Sequence, residues 1–224
     1  RSNTRGVKCS PAVGAAAELR DFAARHRIPV LMNGLGRGVV PEDDELGFPW
    51  PYAQIAAHRS DVVVVVGARL TQRLGLGLPP RFDAAAKFIH VDIEPSAFHR
   101  NRRTDVPILA DAAPAVAALD DSLGRLRRGR PYDPGWLHAA LEPRRRRIAE
   151  LADGEGGLLH PLRLAKAIEA RRPAGSLFVA DGADIATWLY GAIRIREPRG
   201  FLDYYPMGAM GSCTALAVGA AAAL

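Results

Sequence analysis

Several short stretches of this sequence combine residue types that can hold a phosphorylated ligand. Asp181-Gly182-Ala183-Asp184 follows the apolar run Ser176 to Ala180 and precedes a segment of helical periodicity. Glycine at such a strand-to-helix seam lets the backbone approach an anion, and the helix dipole favours one. Asp181 and Asp184 would repel a diphosphate unless a cation stood between them, and either could instead cap the helix. Met207-Gly208-Ala209-Met210-Gly211 offers a second turn for close approach, or equally a tight crossing of packed elements. Gly67-Ala68-Arg69, Asp92 to Glu94 and Asp111 each end a strand-like run. In an open parallel sheet, ligands gather beyond such ends. There Arg69 could grip a phosphate with its planar fork, and Asp92 could accept from a ribose hydroxyl. The plainer alternative is that Arg69 and Asp92 cap helices or pair with each other. Asn33 to Gly38 is a glycine-rich turn after a short apolar run, but no compact Gly-x-Gly-x-x-Gly follows a strand.

Other chemistry is poorly supported. His26, His58, His90, His99, His138 and His160 share no spacing that makes a metal cluster or a triad. Cys9 and Cys213 stand far apart with no Cys-x-x-Cys, which argues against a disulfide framework and a zinc site and fits a reducing, cytoplasmic setting. Ser212 lacks the Gly-x-Ser-x-Gly surroundings of an activated nucleophile. The net charge of +6 comes from scattered Lys and Arg apart from Arg125 to Arg130 and Arg144 to Arg147. Neither cluster carries the interleaved aromatics of a nucleic-acid surface, so no nucleic-acid partner is expected. Ala215 to Leu224 is too short an apolar run to span a bilayer, so no membrane partner is expected either.

The elements that must position these residues follow a β/α rhythm. Gly14 to His26 has helical spacing, Pro29 to Met32 is strand-like, and Tyr52 to His58 reads as a short helix. Asp61 to Val66, with five consecutive valines, reads as a strand buried on both faces. Lys87 to Ile93 and Val106 to Leu109 are further strands, and Ala112 to Leu126 a helix. Arg1 to Ser10 is polar and predicts no strand. Residues 131–157 read as a solvated basic linker, because Pro131, Pro134 and Gly135 interrupt two arginine clusters. The rhythm then restarts with a helix at Leu162 to Ala170, a strand at Ser176 to Ala180, a helix at Asp184 to Ile193, a strand at Gly200 to Asp203 and a small-residue helix to Leu224. The expected architecture is α/β: a parallel-sheet, Rossmann-like central domain over 1–130, the linker over 131–157, and a partial α/β diphosphate-binding domain over 158–224. Two strands cannot bury a full sheet, so this second unit reads as part of something larger.

The order of these segments resembles the thiamine-diphosphate-dependent 2-oxoacid decarboxylase and carboligase superfamily, with acetolactate synthase, oxalyl-CoA decarboxylase and 2-hydroxyacyl-CoA lyase among its members. Gly36 to Asp43 (GRGVVPED), Asp61 to Arg69 (DVVVVVGAR), Phe88 to Pro95 (FIHVDIEP) with Asn101-Arg102-Arg103, and Val106 to Asp111 (VPILAD) resemble its central domain. His160 to Leu224 resembles the start of its diphosphate-binding domain, and Gly77 to Phe82 (GLPPRF) leans toward the CoA-thioester branch. The resemblance implies that Gly182 and Ala183 meet the diphosphate of thiamine diphosphate. It implies that Gly208 offers a carbonyl to the aminopyrimidine and that Met210 wedges the cofactor into its bent shape. Gly67, Arg69, Asp92 and Asp111 would contact FAD, ADP or CoA. It further implies a 2-oxo acid or CoA-thioester substrate and a homodimer or homotetramer.

Departures from the family pattern matter as much. The glutamate that tunes the pyrimidine belongs to an N-terminal domain not seen here, and the Gly-Asp-Gly motif that holds Mg²⁺ is expected just beyond Leu224. The first strand of the central domain is expected to be missing. No catalytic or metal-ligating residue is therefore assigned within the chain, and the chain by itself is expected to be inactive. The competing reading is a non-catalytic FAD- or NAD-type nucleotide-binding module, similar to electron-transfer flavoproteins or sirtuin-like domains, which leaves Asp181 to Leu224 without a role.

Overall fold

The computed structural model describes residues 5–9, 14–50, 52–126, 133–154, 158–204 and 208–223, with the backbone alone for 5–9, 55, 56 and 183. Met207, Arg127 to Arg130, Pro131, Tyr132, Arg1 to Thr4 and Ser10 lie outside the described residues.

Six parallel strands form the larger sheet: β1 (Arg5–Cys9), β2 (Val30–Met32), β3 (Gly47–Pro49), β4 (Val62–Val66), β5 (Lys87–Asp92) and β6 (Val106–Leu109), in the order β3-β2-β1-β4-β5-β6. The valine run forms β4, where it pairs with β1 on one side and β5 on the other. Alternate β4 side chains enter opposite cores. Val64 and Val66 pack with Leu19 and Phe22 of α1 (Ala16–His26) and Val116 of α2 (Ala112–Arg125). Val63 and Val65 pack on the other face with Phe48, Trp50, Phe82 and Phe88. A strand covered on both faces has no solvent side, which is why its sequence does not alternate.

The expectation that the first central strand is missing is corrected here. Arg5–Cys9 is β1, a central strand of the sheet, with Val7 opposite both Val30 and Val64. Its polar composition hid it, because what holds a central strand is a ladder on both sides rather than its own hydrophobicity.

The segment expected as a solvated linker is also different. Gly135–Asp153 forms α3, a 19-residue helix that includes Pro143. Leu137 and Leu141 are fully buried in the same core as Phe88, with Trp136, Ala140 and Ile148 packed against it. These apolar positions recur at helical spacing beneath the arginines, a stripe that the prolines and the charge run obscured.

A separate two-stranded parallel sheet, β7 (Phe178–Ala180) and β8 (Phe201–Asp203), carries the second unit. It packs with α4 (Pro161–Arg171) and α5 (Ala183–Ala192), through Ala165, Ala186, Leu189 and Tyr190, and is followed by α6 (Ser212–Ala223). A buried ion pair of the larger unit reaches into the smaller one. Arg37, 1% exposed, donates from Nε and Nη2 to the two carboxylate oxygens of Glu42, both at 2.6 Å. Its guanidinium lies 4.7 Å from the ring centre of Tyr190 and 4.4 Å from that of Phe201, and Nη2 also donates to the Ile193 carbonyl at 3.1 Å. Glu42 and Ile195 exchange further bonds: the Glu42 amide donates to the Ile195 carbonyl, and the Ile195 amide donates to the Glu42 carboxylate. The GRGVVPED stretch is thus the joint between the sheets.

Candidate functional site

In the larger sheet, chain order reverses between β1 and β4. With all strands parallel, the carboxyl ends of β4, β5 and β6 lie along one edge, beside the reversal that opens a crevice in sheets of this kind. Gly67 leaves β4 with φ +56° and donates its amide to the Val91 carbonyl at 2.9 Å, a backbone conformation suited to glycine. Arg69 is exposed two residues further on and forms no salt bridge with Asp92. Its charge adds to the Ser96 amide and hydroxyl that hold the Glu94 carboxyl below its ordinary range. Asp92 is half-buried and accepts from the Glu94 amide at 2.9 Å. Asp111 caps α2 by accepting from the Ala113 amide at 3.1 Å, a role not assigned to it from the sequence. Gly67, Arg69, Asp92 and Asp111 therefore share one edge of one sheet.

His90, one register position before Asp92 on the same face, was given no role in the sequence. It is fully buried against the Phe98 ring. Neither ring nitrogen finds hydrogen-bond geometry among the described residues, and Asp92 stands 3.8 Å from Nε2. Burial pushes the imidazole pKa down; the Asp92 carboxylate and the Ala68 carbonyl oppose this, and His99 adds to it. The unfolded chain then binds more protons than the folded one below the unfolded value of about 6.5. Stability is complete above that pH and is lost as pH falls from it toward the lower folded value. Urea unfolding between pH 7.5 and 5 is expected to show this loss, at up to about 1.4 kcal/mol per pH unit for one proton, and His90→Leu is expected to reduce the slope. A slope unchanged in that variant would contradict the assignment.

In the smaller sheet, β7 and β8 run side by side, with Ala180 opposite Asp203 at their carboxyl ends. The two glycine turns expected to meet one cofactor thus leave neighbouring strands. Gly182 stands at the N-terminus of α5 with φ +75°, and Ala183 begins the helix. Asp181 does not cap that helix. Its Oδ1 accepts from the Gly182 amide at 2.6 Å, and its Oδ2 from the amides of Gly211 at 2.8 Å and Cys213 at 3.4 Å. One carboxylate therefore ties the first turn to the second. Gly208 and Gly211 have φ +72° and +87° and open space where a Cβ would stand, and Met210 is 78% exposed beside them. Cys213 is buried and donates its thiol to the Ala180 carbonyl at 2.8 Å; burial raises its pKa.

A polar relay that the sequence did not reveal sits beneath this edge. Arg73 donates to the Tyr190 hydroxyl at 2.6 Å, and that hydroxyl donates to the Asp203 carboxylate at 2.5 Å. Burial first, and Asp203 second, push the Tyr190 pKa up, so the phenol stays protonated. The partners are more than 100 residues apart in the first case, and no local pattern announces such a contact. Among the described residues no cluster of three or more His, Cys, Asp or Glu could hold a metal ion, and no helix is long and apolar enough to cross a membrane.

Residues 5–119 match the family model for the thiamine pyrophosphate enzyme central domain, and the chain belongs to that family. The larger sheet is that domain. Relatives include an acetolactate synthase of Mycobacterium bovis, 29% identical over 94% of this chain and 35% of its own length. An acetolactate synthase large subunit of Mycobacterium tuberculosis is 34% identical over 88% of this chain and 35% of its own. That of Corynebacterium glutamicum is 27% identical over 93% and 34%. The chain spans about a third of the length of the curated relatives it matches.

Proposed function

We propose that the whole protein is a thiamine-diphosphate-dependent enzyme that makes or breaks a carbon–carbon bond next to a carbonyl, by decarboxylation or carboligation of 2-oxo acids as in acetolactate synthase. Cleavage of 2-hydroxyacyl- or oxalyl-CoA thioesters is the neighbouring possibility within the family. The observation that carries the reading is the pair of glycine turns on adjacent strands, tied together by Asp181. They fit the cofactor: the positive-φ glycines leave room that any side chain would fill, and the α5 N-terminus presents free amides to an anion. When bound, thiamine diphosphate supplies a thiazolium that accepts electron density from the bond being broken. The chain's own residues would hold it. Gly182 and Ala183 would face the diphosphate with Mg²⁺ between, Gly208 would accept from the aminopyrimidine, and Met210 would support the bend between the rings.

The edge formed by Gly67, Arg69, Asp92 and Asp111 would hold the nucleotide part of FAD, ADP or CoA. A cytoplasmic homodimer or homotetramer is the expected setting. The non-catalytic nucleotide-module reading gains nothing from the glycine turns, for which it has no use. Calorimetric titration of the whole protein with thiamine diphosphate, with and without Mg²⁺, tests the proposal. Saturable binding that requires magnesium is expected, and heat that does not depend on the metal, or none at all, rejects it.

A further inference from the structure

A cavity of about 400 Å³ opens where the loop before β3, helix α3 and the segment after α5 converge. It shares no residue with either strand edge. The volume lies within the range of small-molecule sites. Its wall includes Tyr52, whose ring is buried and lies under the guanidinium groups of Arg144 and Arg194. A buried phenol ring brings an apolar face and one polar tip to such a wall.

The charges around the cavity do not cancel. Of the lining carboxylates, Glu42 is neutralised by Arg37, Asp43 by Arg196 at 2.6 Å and Glu45 by Arg27 at 3.0 Å. Asp44 has no cation, and one of its oxygens is taken by the Leu46 amide. Opposite stand Arg145 and Arg194, both half-buried and, among the described residues, neither paired with a carboxylate. Among those residues Arg145 donates to Nδ1 of His138 at 3.0 Å, and Arg194 to the Gly191 and Ile193 carbonyls. Two unpaired cations against one unpaired carboxylate favour a monoanion. The buried ring of Phe48 beside Tyr52 supplies an apolar wall for its body. His138 is already committed: its ring packs at a tilt against Phe48 and Nε2 donates to the Glu45 carbonyl at 2.7 Å, which fixes the loop and aims Arg145.

We propose that this cavity is a binding site for a small organic monocarboxylate, its carboxylate held by Arg145 and Arg194 with the Tyr52 hydroxyl, and its apolar body against Phe48. The site joins three segments that belong to both units of the fold, so an occupant stabilises their junction in proportion to its saturation.

The test is calorimetric titration of the whole protein with sodium butanoate at low ionic strength, with inorganic phosphate as the comparison anion. Saturable butanoate binding is expected, weakened about tenfold by Arg145→Gln or Arg194→Gln and several-fold by Tyr52→Phe, with phosphate the weaker ligand. Absence of saturable binding to the folded protein would overturn the proposal. So would an affinity unchanged from the parent in both arginine variants, or phosphate binding as tightly as butanoate. Should an arginine variant lose its circular dichroism, Tyr52→Phe decides, because it keeps the ring in place; unchanged affinity there overturns the assignment.

Discussion

Arg37→Ala is expected to lower the unfolding free energy of the chain by about 3–5 kcal/mol, because it leaves the Glu42 carboxylate buried without its counter-charge. Glu42 has no route to water: its side chain is 0% exposed, and the remaining donor to it is the Ile195 amide. The same substitution strips the cation from between the Tyr190 and Phe201 rings and the donor from the Ile193 carbonyl. For a chain of this size the melting temperature should fall on the order of 10 °C. Replacing both partners, Arg37→Met with Glu42→Leu, removes the unpaired charge and should cost less than Arg37→Ala alone. Urea unfolding followed by circular dichroism measures each variant. Equal stability of Arg37→Ala and the parent chain would mean that the pair does not hold the units together.

The second large effect is expected one residue later. Gly38 has φ +84°, and a Cβ placed there would stand 2.1 Å from the Glu197 carbonyl oxygen, a backbone atom that cannot swing aside. The left-handed conformation costs any other residue about 1–2 kcal/mol, and forcing the overlap apart about 1–3 kcal/mol more. Gly38→Ala should therefore cost about 2–5 kcal/mol and loosen the contact between the GRGVVPED stretch and the segment after α5. Gly124→Ala is the control: it lies in α2 with nothing within 4 Å of the new methyl, and alanine there should add about 0.5–1 kcal/mol of stability. Indistinguishable melting of the two variants would contradict the close approach.

These two residues show where the sequence is readable and where it is not. The GRGVVPED stretch is recognisable as a family segment, and its glycines announce tight backbone. Its role as the joint is not legible, because Arg37 meets Ile193 and Phe201 more than 150 positions away. Strands with a local signature were found at nearly their observed limits: the valines of β4, Val106–Leu109, and the apolar pairs of β7 and β8. β1 was missed for the opposite reason, since its ladder comes from β2 and β4 rather than from its own residues. Helix α3 was hidden because its buried stripe is narrow and three prolines and a run of arginines dominate the segment.

For the candidate site residues, the local rule that polar groups cluster at strand ends fixed where in the sheets they lie. Gly67, Arg69, Asp92 and Asp111 do share one edge, and Gly182 and Gly208 leave adjacent strands. Asp92 and Asp111 accept from amides two residues on, within reach of a local reading, but not every aspartate does. Asp111 could be read as a helix cap, whereas Asp181 reaches across 30 residues to Gly211.

The most direct measurement is a structure of the whole protein bound to thiamine diphosphate and Mg²⁺. The account predicts diphosphate oxygens at the turn formed by Gly182 and Ala183 and the aminopyrimidine against the Gly208 carbonyl, with Asp181 still bonded to the Gly211 amide of the second turn. A cofactor bound at the carboxyl edge of β4 and β5 instead, or glycine turns that part from each other with no cofactor between them, would contradict it.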